Sequence, residues 1–562
     1  VSMLGAGNLS VSNVETVIGT ASTTTDDVVR MLSGGLIGLS NVETVIGTAG
    51  TTDVARFFGS NVDVAVSAVE TVIGTSGTGD QATLLAAGTV SVSGIETLIG
   101  NAGTDVAVMM NAVVMAVSEI ETVIGTSGNN DAIRLMAGET VAVSSIETAR
   151  GTTGSGDVIQ LLEADTIAVS LIDTVLGTTG TDTVTVQSAG TLAISSIETV
   201  TGGSGTNVLT MLGAGTVAAT LVESVIGSAG TDILQFRGSG TVSVSEIETV
   251  LGTVKSNEVV RMLAADTMAI SAVETVIGST GTDVLDLLGA SLTLRISDIE
   301  TVRGSSGNDA ITMLATDTMA VSGVETVTGT NATTDVVHLQ SGGILAVKLV
   351  DTVVGTTANA DTVRMMSNFV SVSEIETVIG STAKTDRVVM LENGTISVSA
   401  VESVIGTGSS GDRVVMMSSG SLNVSNVETV VGTASADTFV FAGTVGVSVT
   451  GGGGADTYTA GGGNDVFIFT NTADSFGTAI DTINNFNAGA GAGDVIDLNA
   501  ITGGTGALVT DATTYANGGT AQAIVRTAGV LEVDTDGNGI TDMRINLAGI
   551  GVNGLNSDDI RW

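Results

Sequence analysis

The chain has 562 residues, of which 59 are acidic and only 17 are Lys or Arg, so its net charge is −42. Such a chain lacks the basic patches with which proteins bind nucleic acids or anionic lipid surfaces. It has no cysteine, which excludes disulfides and thiolate metal sites, and no run of 18 uncharged apolar residues, so we expect no transmembrane segment.

A repeat of about 26 residues, built around the phrase V-E-T-V-I-G, extends from residue 1 to about residue 450. The acidic residue of that phrase defines the Glu row: Glu15, Glu43, Glu70, Glu96, Glu121, Glu147, Asp173, Glu198, Glu223, Glu248, Glu274, Glu300, Glu325, Asp351, Glu376, Glu402 and Glu428. A second set of residues, about ten positions later, defines the Asp row: Asp27, Asp53, Asp80, Asp105, Asp131, Asp157, Asp182, Asn207, Asp232, Glu258, Asp283, Asp309, Asp335, Asp361, Asp386, Asp412 and Asp437.

Each copy of the repeat contains three short segments that alternate between apolar and polar residues. After Asp232, for example, Leu234 and Phe236 would face one side of a strand and Gln235 the other. Three strands per copy predict an all-β, parallel β-helix or β-roll solenoid with about 17 coils of about 26 residues, each copy forming one three-sided coil. The absence of proline fits a chain that is nearly all hydrogen-bonded ladder.

The two acidic rows would stack into columns of carboxylates about 5 Å apart, which repel each other by about 0.8 kcal/mol per pair even in water. Bridging Ca²⁺ ions, which prefer oxygen ligands, are the simplest way to offset this repulsion. For the Glu row, an alternative is a solvated face in which each Glu bonds a neighbouring Thr or a backbone group. For the Asp row, the local motif G-[TS]-x-G-x-D-x-U, seen at 177–182, favours metal binding.

This motif resembles the calcium-binding nonapeptide G-G-x-G-x-D-x-U-x of the RTX, or hemolysin-type, repeat exoproteins, with Thr or Ser in place of the second Gly. The resemblance is closest after residue 450, where residues 451–459 match every fixed position and residues 460–467 match with one Gly changed to Ala. It implies that Asp456 and Asp465 bind calcium with the help of Gly452, Gly454 and Gly463. At motif level it extends to Asp182, Asp232, Asp283, Asp309 and Asp437.

The segment after residue 465 is similar to the C-terminal region of serralysin-type exoproteins, which acts as an uncleaved signal for type I secretion. We therefore divide the chain into a solenoid array at 1–450 and a calcium-binding, capping and secretion region at 451–562. The resemblance implies a secreted protein that folds outside the cell, where calcium is abundant. The chain begins in mid-repeat without a visible Sec-type signal, so we expect either a longer chain upstream or a processed N-terminus.

One further loop matches the first half of an EF-hand, with oxygen-bearing residues at positions 1, 3 and 5 and Gly at position 6. Its candidate ligands are Asp534, Asp536, Asn538 and Asp542. The alternative is a simple hairpin turn between strands at 530–533 and 543–547.

No residue pattern predicts catalysis. His338 is the only histidine and is expected on the outer side of a strand, and H-E-x-x-H and cysteine nucleophiles are absent. We predict a non-enzymatic, calcium-stabilised extracellular protein that associates with itself, end to end or laterally, into a surface layer, matrix or filament, with cell-surface polysaccharide as a further partner. The alternatives are the stalk of a type I-secreted adhesin, an accessory module of a polysaccharide-modifying enzyme, and an ice-binding protein with stacked Thr columns.

Overall fold

The computed structural model describes residues 1–21, 26–50, 52–128, 130–253, 257–357, 360–382, 385–489, 491, 493–510, 514–516, 518–527, 529–552 and 554–562. The fold is an all-β parallel solenoid of about 28 turns with almost no helix, so the predicted fold class is confirmed. The predicted coil count of 17 is wrong, for a reason that lies in how the strands of each copy are distributed.

Each turn of the solenoid contains two strands, not three, and the strands alternate between two parallel sheets. In chain order, strands β1 to β56 are Asn8–Val11, Thr16–Ile18, Val28–Met31, Gly35–Ser40, Thr44–Ile46, Asp53–Phe57, Asp63–Ser67, Thr71–Ile73, Gln81–Leu84, Thr89–Ser93, Thr97–Ile99, Val106–Met109, Val114–Ser118, Thr122–Ile124, Ala132–Leu135, Thr140–Ser144, Thr148–Arg150, Val158–Leu161, Thr166–Ser170, Thr174–Leu176, Thr183–Val186, Gly190–Ser195, Thr199–Thr201, Asn207–Met211, Thr216–Thr220, Ser224–Ile226, Ile233–Phe236, Gly240–Ser245, Thr249–Leu251, Glu258–Met262, Thr267–Ser271, Thr275–Ile277, Val284–Leu287, Thr293–Ser297, Thr301–Arg303, Ala310–Met313, Thr318–Ser322, Thr326–Thr328, Val336–Leu339, Ile344–Lys348, Thr352–Val354, Thr362–Met365, Phe369–Ser373, Thr377–Ile379, Arg387–Met390, Thr395–Ser399, Ser403–Ile405, Arg413–Met416, Ser421–Ser425, Thr429–Val431, Thr438–Ala442, Ser448–Thr450, Thr457–Thr459, Val466–Ile468, Asp481–Asn484 and Val495–Asp497. The odd-numbered strands form one sheet, the odd sheet, and the even-numbered strands form the other, the even sheet.

A copy of the repeat therefore makes one and a half turns, and two copies make three. We name its strands by position: the Asp strand follows the Asp-row residue, the middle strand comes next, and the Glu strand follows the Glu-row residue. Within a sheet the order is Asp strand, Glu strand, middle strand, as in the pairing of β15 with β17 and of β17 with β19. The prediction of a three-sided coil is wrong. Each of the three connections in a copy reverses the direction of the chain, so successive strands lie in opposite sheets.

Side chains on each strand alternate between the core and the outer face, as the sequence predicts. Leu234 and Phe236 are buried while Gln235 is half-buried on the other face. The interior is consequently a narrow layer of Val, Ile, Leu and Met side chains between the two sheets. His338 is exposed on the outer face of β39, which confirms its predicted position.

The corner between the middle strand and the Glu strand requires left-handed backbone in every copy. The residue two positions before the Glu-row residue has φ between 51° and 62° in all 17 copies, and it is glycine in only two of them, at Gly94 and Gly323. Its carbonyl oxygen packs on the glycine of V-I-G in the preceding turn: a Cβ on Gly74 would lie 1.9 Å from the Gly94 oxygen. This close approach explains why the V-I-G glycine recurs.

The C-terminal segments extend both sheets. A 3₁₀ helix spans Thr472–Ser475, α1 spans Asn499–Thr502, and β57 to β60 are Gly506–Val509, Ala521–Thr527, Val530–Asp534 and Met543–Leu547. A 3₁₀ helix at Ser557–Asp559 precedes β61, Ile560–Arg561. β60 pairs with β55 of the odd sheet, and β61 pairs with β56 of the even sheet.

The chain divides into two compact units, Val1–Gly281 and Thr282–Trp562. The first contains β1 to β32 and the second contains the remaining strands. Among the described residues, no helix is long and apolar enough to cross a membrane.

Candidate metal centre

The aspartates of the Asp row are fully buried at the solenoid corners, where protein donors reach Oδ2 in most copies, whereas Oδ1 of Asp131, Asp157, Asp335, Asp361 and Asp412 has no hydrogen-bond partner among the described residues. In a typical copy, the Thr178 backbone N–H and hydroxyl both donate to Asp182 Oδ2, at 2.6 and 2.9 Å, and the Asp165 N–H of the preceding turn donates to Oδ1 at 3.0 Å. Hydrogen bonds from N–H groups favour the ionised carboxylate. The Thr that replaces the second Gly of the nonapeptide is therefore a hydrogen-bond donor to the aspartate.

Three of the other array residues implied by the resemblance have the same donors. Ser228, Ser305 and Thr433 each donate through N–H and hydroxyl to Oδ2 of Asp232, Asp309 and Asp437, respectively. Asp283 is equally buried, and its N–H donates to Glu300 Oε2 at 2.7 Å.

The Glu row stabilises the neighbouring turn through the backbone. Glu198 Oε2 accepts a hydrogen bond from the Asp182 N–H at 2.7 Å, and the same bond recurs from copy to copy. This geometry is the backbone-bonded arrangement considered as the alternative for the Glu row. The predicted columns built from a single row do not form. An Asp-row residue recurs on one sheet only every third turn, and the neighbouring strand carries a Glu-row residue.

Continuous acidic columns form only where the residue before a middle strand is also acidic. Glu139 is the clearest case, because it lies between Glu121 and Asp157 in successive turns of the even sheet. Burial, followed by the charges of Asp157 and Glu121, raises the pKa of Glu139 to about 7. Asp157 Oδ1 and Glu139 Oε1 are both buried without a hydrogen-bond partner among the described residues.

The residues after 450 place buried carboxylates directly above one another in the odd sheet. The Asp437 N–H donates to Asp456 Oδ1 at 2.7 Å, and the Asp456 N–H donates to Asp481 Oδ1 at 2.8 Å. The Tyr458 hydroxyl lies 3.3 Å from Oδ2 of both Asp456 and Asp481. Burial raises the pKa of Asp456 to about 6 and that of Asp481 to about 8; the charge of Asp437 adds to the shift of Asp456, and the charge of Asp456 adds to the shift of Asp481.

An equivalent stack occupies the even sheet. Asp465 accepts hydrogen bonds from the Val447 and Gly461 N–H groups, and its own N–H donates to Asp494 Oδ1 at 2.8 Å. Burial raises the pKa of Asp494, and the nearby carboxylates of Asp465 and Asp559 add to this effect.

Sequence reasoning did not include Asp481, Asp494 or Tyr458 among the candidate ligands. The available signal was the pattern of an Asp before an alternating segment, which 481–484 and 494–497 share with the nonapeptides. The glycines of the nonapeptides allow close approach between turns: a Cβ on Gly452 would lie 2.0 Å from the Thr433 oxygen, and one on Gly454 or Gly463 would lie 2.5 or 2.4 Å from a backbone nitrogen.

The loop between β59 and β60 gathers three acidic side chains into a possible ligand set for a cation. Oxygen atoms of Asp534, Asp536 and Asp542 lie within 4.8 Å of one another. Asp534 is buried and accepts the Gly537 and Gly539 N–H groups, which curl the loop around its carboxylate. β59 and β60 are antiparallel, so the predicted hairpin is confirmed, and the loop brings the candidate ligands together.

The side-chain amide of Asn538 forms hydrogen bonds within this loop. Its Nδ2 donates to Asp536 Oδ2 at 2.9 Å, and its Oδ1 accepts the Ile540 N–H at 2.8 Å. Carboxylate and amide oxygens are ligands that Ca²⁺ prefers, and the loop supplies both.

Comparison of the sequence with protein-family models and with curated proteins found no match in either case.

Proposed function

We propose that this chain is an extracellular structural protein, a calcium-stabilised solenoid that assembles into a surface layer, matrix or filament. The observation that carries the proposal is the convergence of the Asp534, Asp536 and Asp542 carboxylates in a loop that links the last strands of the odd sheet. The regular ladder of β1 to β56 supports a mechanical rather than a chemical role.

A calcium ion in this loop would stabilise the end of the solenoid. Three carboxylates within 4.8 Å repel one another when ionised, and a divalent cation removes that repulsion. Because β60 pairs with β55, an ion that stabilises the hairpin also stabilises the pairing of β60 with the odd sheet. The pair Asp456 and Asp481 is a second candidate position, since burial raises the pKa of both carboxylates and a cation would offset the cost of burying their charge.

Export by a type I machinery fits the same chemistry. A net charge of −42 on an extended chain opposes collapse when calcium is scarce, and cation binding outside the cell would favour folding there.

The test is a calcium titration of the whole chain by calorimetry, paired with thermal unfolding with and without chelator. We expect two or three tightly bound ions and a lower unfolding temperature in chelator. Asp534→Asn and Asp456→Asn should each remove binding, whereas the control Asp182→Asn should not, because Asn207 already occupies the equivalent position in another copy. Fifteen or more ions would instead place calcium at the Asp-row corners throughout the array.

Assembly is tested separately by negative-stain microscopy in calcium and in chelator. Polymers or sheets in calcium support the proposal. Monomers in both conditions, at concentrations well above those of a secreted protein, contradict it.

A further inference from the structure

Five large apolar side chains project from the even sheet of the first unit at one repeated position. Each is the residue directly after an Asp strand, and the set, which we name the apolar row, consists of Phe58, Met110, Leu162, Leu212 and Leu263. Each is 48–53% exposed. They belong to the outer face, because Ile159 and Leu161 of the same strand point inward while Gln160 and Leu162 point outward.

The backbone holds this row in place. The N–H of each member donates to the neighbouring turn, as from Met110 to Val92 and from Leu162 to Val143, at 2.8 and 2.9 Å. Members recur every third turn, which corresponds to a spacing of about 14 Å at the usual distance between strands. The backbone that carries these side chains is therefore part of the hydrogen-bonded ladder and not part of a free loop.

The odd sheet has no equivalent row. Its residues at the same position in the first unit are Leu32, Leu85, Met136, Gln187 and Arg237, so a polar and a charged side chain interrupt it. Of the other exposed leucines in the first unit, Leu171 and Leu221 belong to the left-handed corners, Leu36 lies near the start of β4, and Leu4 precedes β1. The second unit has its own members at the even-sheet position, namely Leu314, Met366 and Met417.

We propose that the apolar row is the surface through which two copies of this chain associate laterally, a deepening that rests on the proposed self-assembly. The five half-exposed side chains present roughly 500 Å² to solvent, so a pair of rows would bury roughly 1,000 Å², the size at which specific interfaces begin. A partner must offer apolar groups at the same three-turn interval, and a second copy does so by construction.

Because the row is evenly spaced, it is self-complementary about its middle member, and that register pairs all five of its side chains. A two-fold axis at Leu162, its middle member, runs the two solenoids antiparallel and makes the contact self-complementary. Leu162 then faces Leu162 of the second copy, Met110 faces Leu212, and Phe58 faces Leu263. This arrangement closes as a dimer along the row and leaves the odd sheet free for other contacts.

Single cysteines test the register, because the chain has no cysteine of its own. Treatment of the full chain in calcium with a short bismaleimide, which links two thiols across several ångströms, should convert Leu162→Cys to a covalent dimer. Phe58→Cys should stay monomeric alone but crosslink when mixed with Leu263→Cys; a linker is needed because packed sheet faces lie about 10 Å apart, beyond the reach of a disulfide. The control is Met136→Cys at the same position of the odd sheet. Crosslinking of Leu162→Cys no faster than that of Met136→Cys overturns the proposal, and so does ready self-crosslinking of Phe58→Cys.

Polar substitutions test the energetics. We expect the triple variant Met110→Ser, Leu162→Ser, Leu212→Ser to self-associate at least tenfold more weakly in sedimentation, while the odd-sheet triple Leu32→Ser, Leu85→Ser, Met136→Ser matches the unsubstituted chain. Circular dichroism checks that both fold. If the unsubstituted chain assembles and both triples assemble equally well, this inference fails and the proposed function stands. If the unsubstituted chain remains monomeric in calcium, both fail.

Discussion

Gly74→Ala should disrupt the solenoid locally, because the V-I-G glycine packs against the left-handed corner of the next turn. The new Cβ would lie 1.9 Å from the Gly94 carbonyl oxygen and 3.0 Å from Asp80 Oδ2. Carbon and oxygen in contact are normally at least about 3.3 Å apart, so the two turns would have to separate by about 1.4 Å. That movement would break the hydrogen bond from the Gly74 N–H to Ser93, now 2.8 Å.

We expect Gly74→Ala to cost at least about 3 kcal/mol of local stability, because neither partner of the clash is a flexible side chain. The control is Gly213→Ala, where no atom lies within 4 Å of the new Cβ and the change should stay within about 0.5 kcal/mol. Native-state hydrogen exchange is the suitable assay, because a long solenoid does not unfold in two states. Equal protection of β8 to β10 in Gly74→Ala and in the unsubstituted chain would refute the packing argument.

Two further predictions concern the corners and the acidic columns. Leu171 has φ 55°, so Leu171→Asn should stabilise its corner by about 1 kcal/mol and Leu171→Val should destabilise it by a similar amount; native-state hydrogen exchange of the adjoining strands measures both, and a reversal of either sign would contradict the strain argument. The pKa of Glu139 is raised to about 7, so its contribution is fully present below about pH 4.5 and is lost as the pH rises through 7. Glu139→Gln stays neutral, and it should therefore match the unsubstituted chain at pH 4.5 and exceed it by roughly 1–2 kcal/mol at pH 8. A pH-independent difference between the two proteins would show that Glu139 does not titrate with folding.

The strands could be predicted well from the sequence because the pattern that marks a strand lies within a few consecutive residues. Alternation of apolar and polar residues identified three strands per copy and the inward faces of Leu234 and Phe236. It could not identify the number of sides, because three strands fit either one three-sided coil or one and a half two-sided turns. The deciding feature is the left-handed corner, and only two of its 17 residues are glycine, so the sequence shows little of it.

The same limit applied to the acidic residues. The motif of the hairpin loop could be recognised because its residues Asp534, Asp536, Asn538 and Asp542 are close in sequence. The structure brings the three aspartates together. The stack of Asp456 and Asp481 joins residues 25 apart, and its spacing departs from that of the array. The sequence alone does not show that these two aspartates lie on neighbouring strands of one sheet.

The residue that follows the corner glycine, which is Gly177 in the copy of Asp182 and Gly451 before Asp456, distinguishes the two kinds of acidic corner. In the array this residue is Thr178 or its equivalent, whose hydroxyl adds a second donor to Asp182 Oδ2. Before Asp456 it is Gly452, which has no hydroxyl, and Asp456 Oδ2 instead lies 3.3 Å from the Tyr458 hydroxyl. A carboxylate oxygen that already accepts two close donors gains less from a cation than one with a single distant donor. The replacement of Gly by Thr along the array therefore supplies hydrogen bonds to Oδ2, so under the proposed function we expect the stronger calcium sites at the C-terminal end.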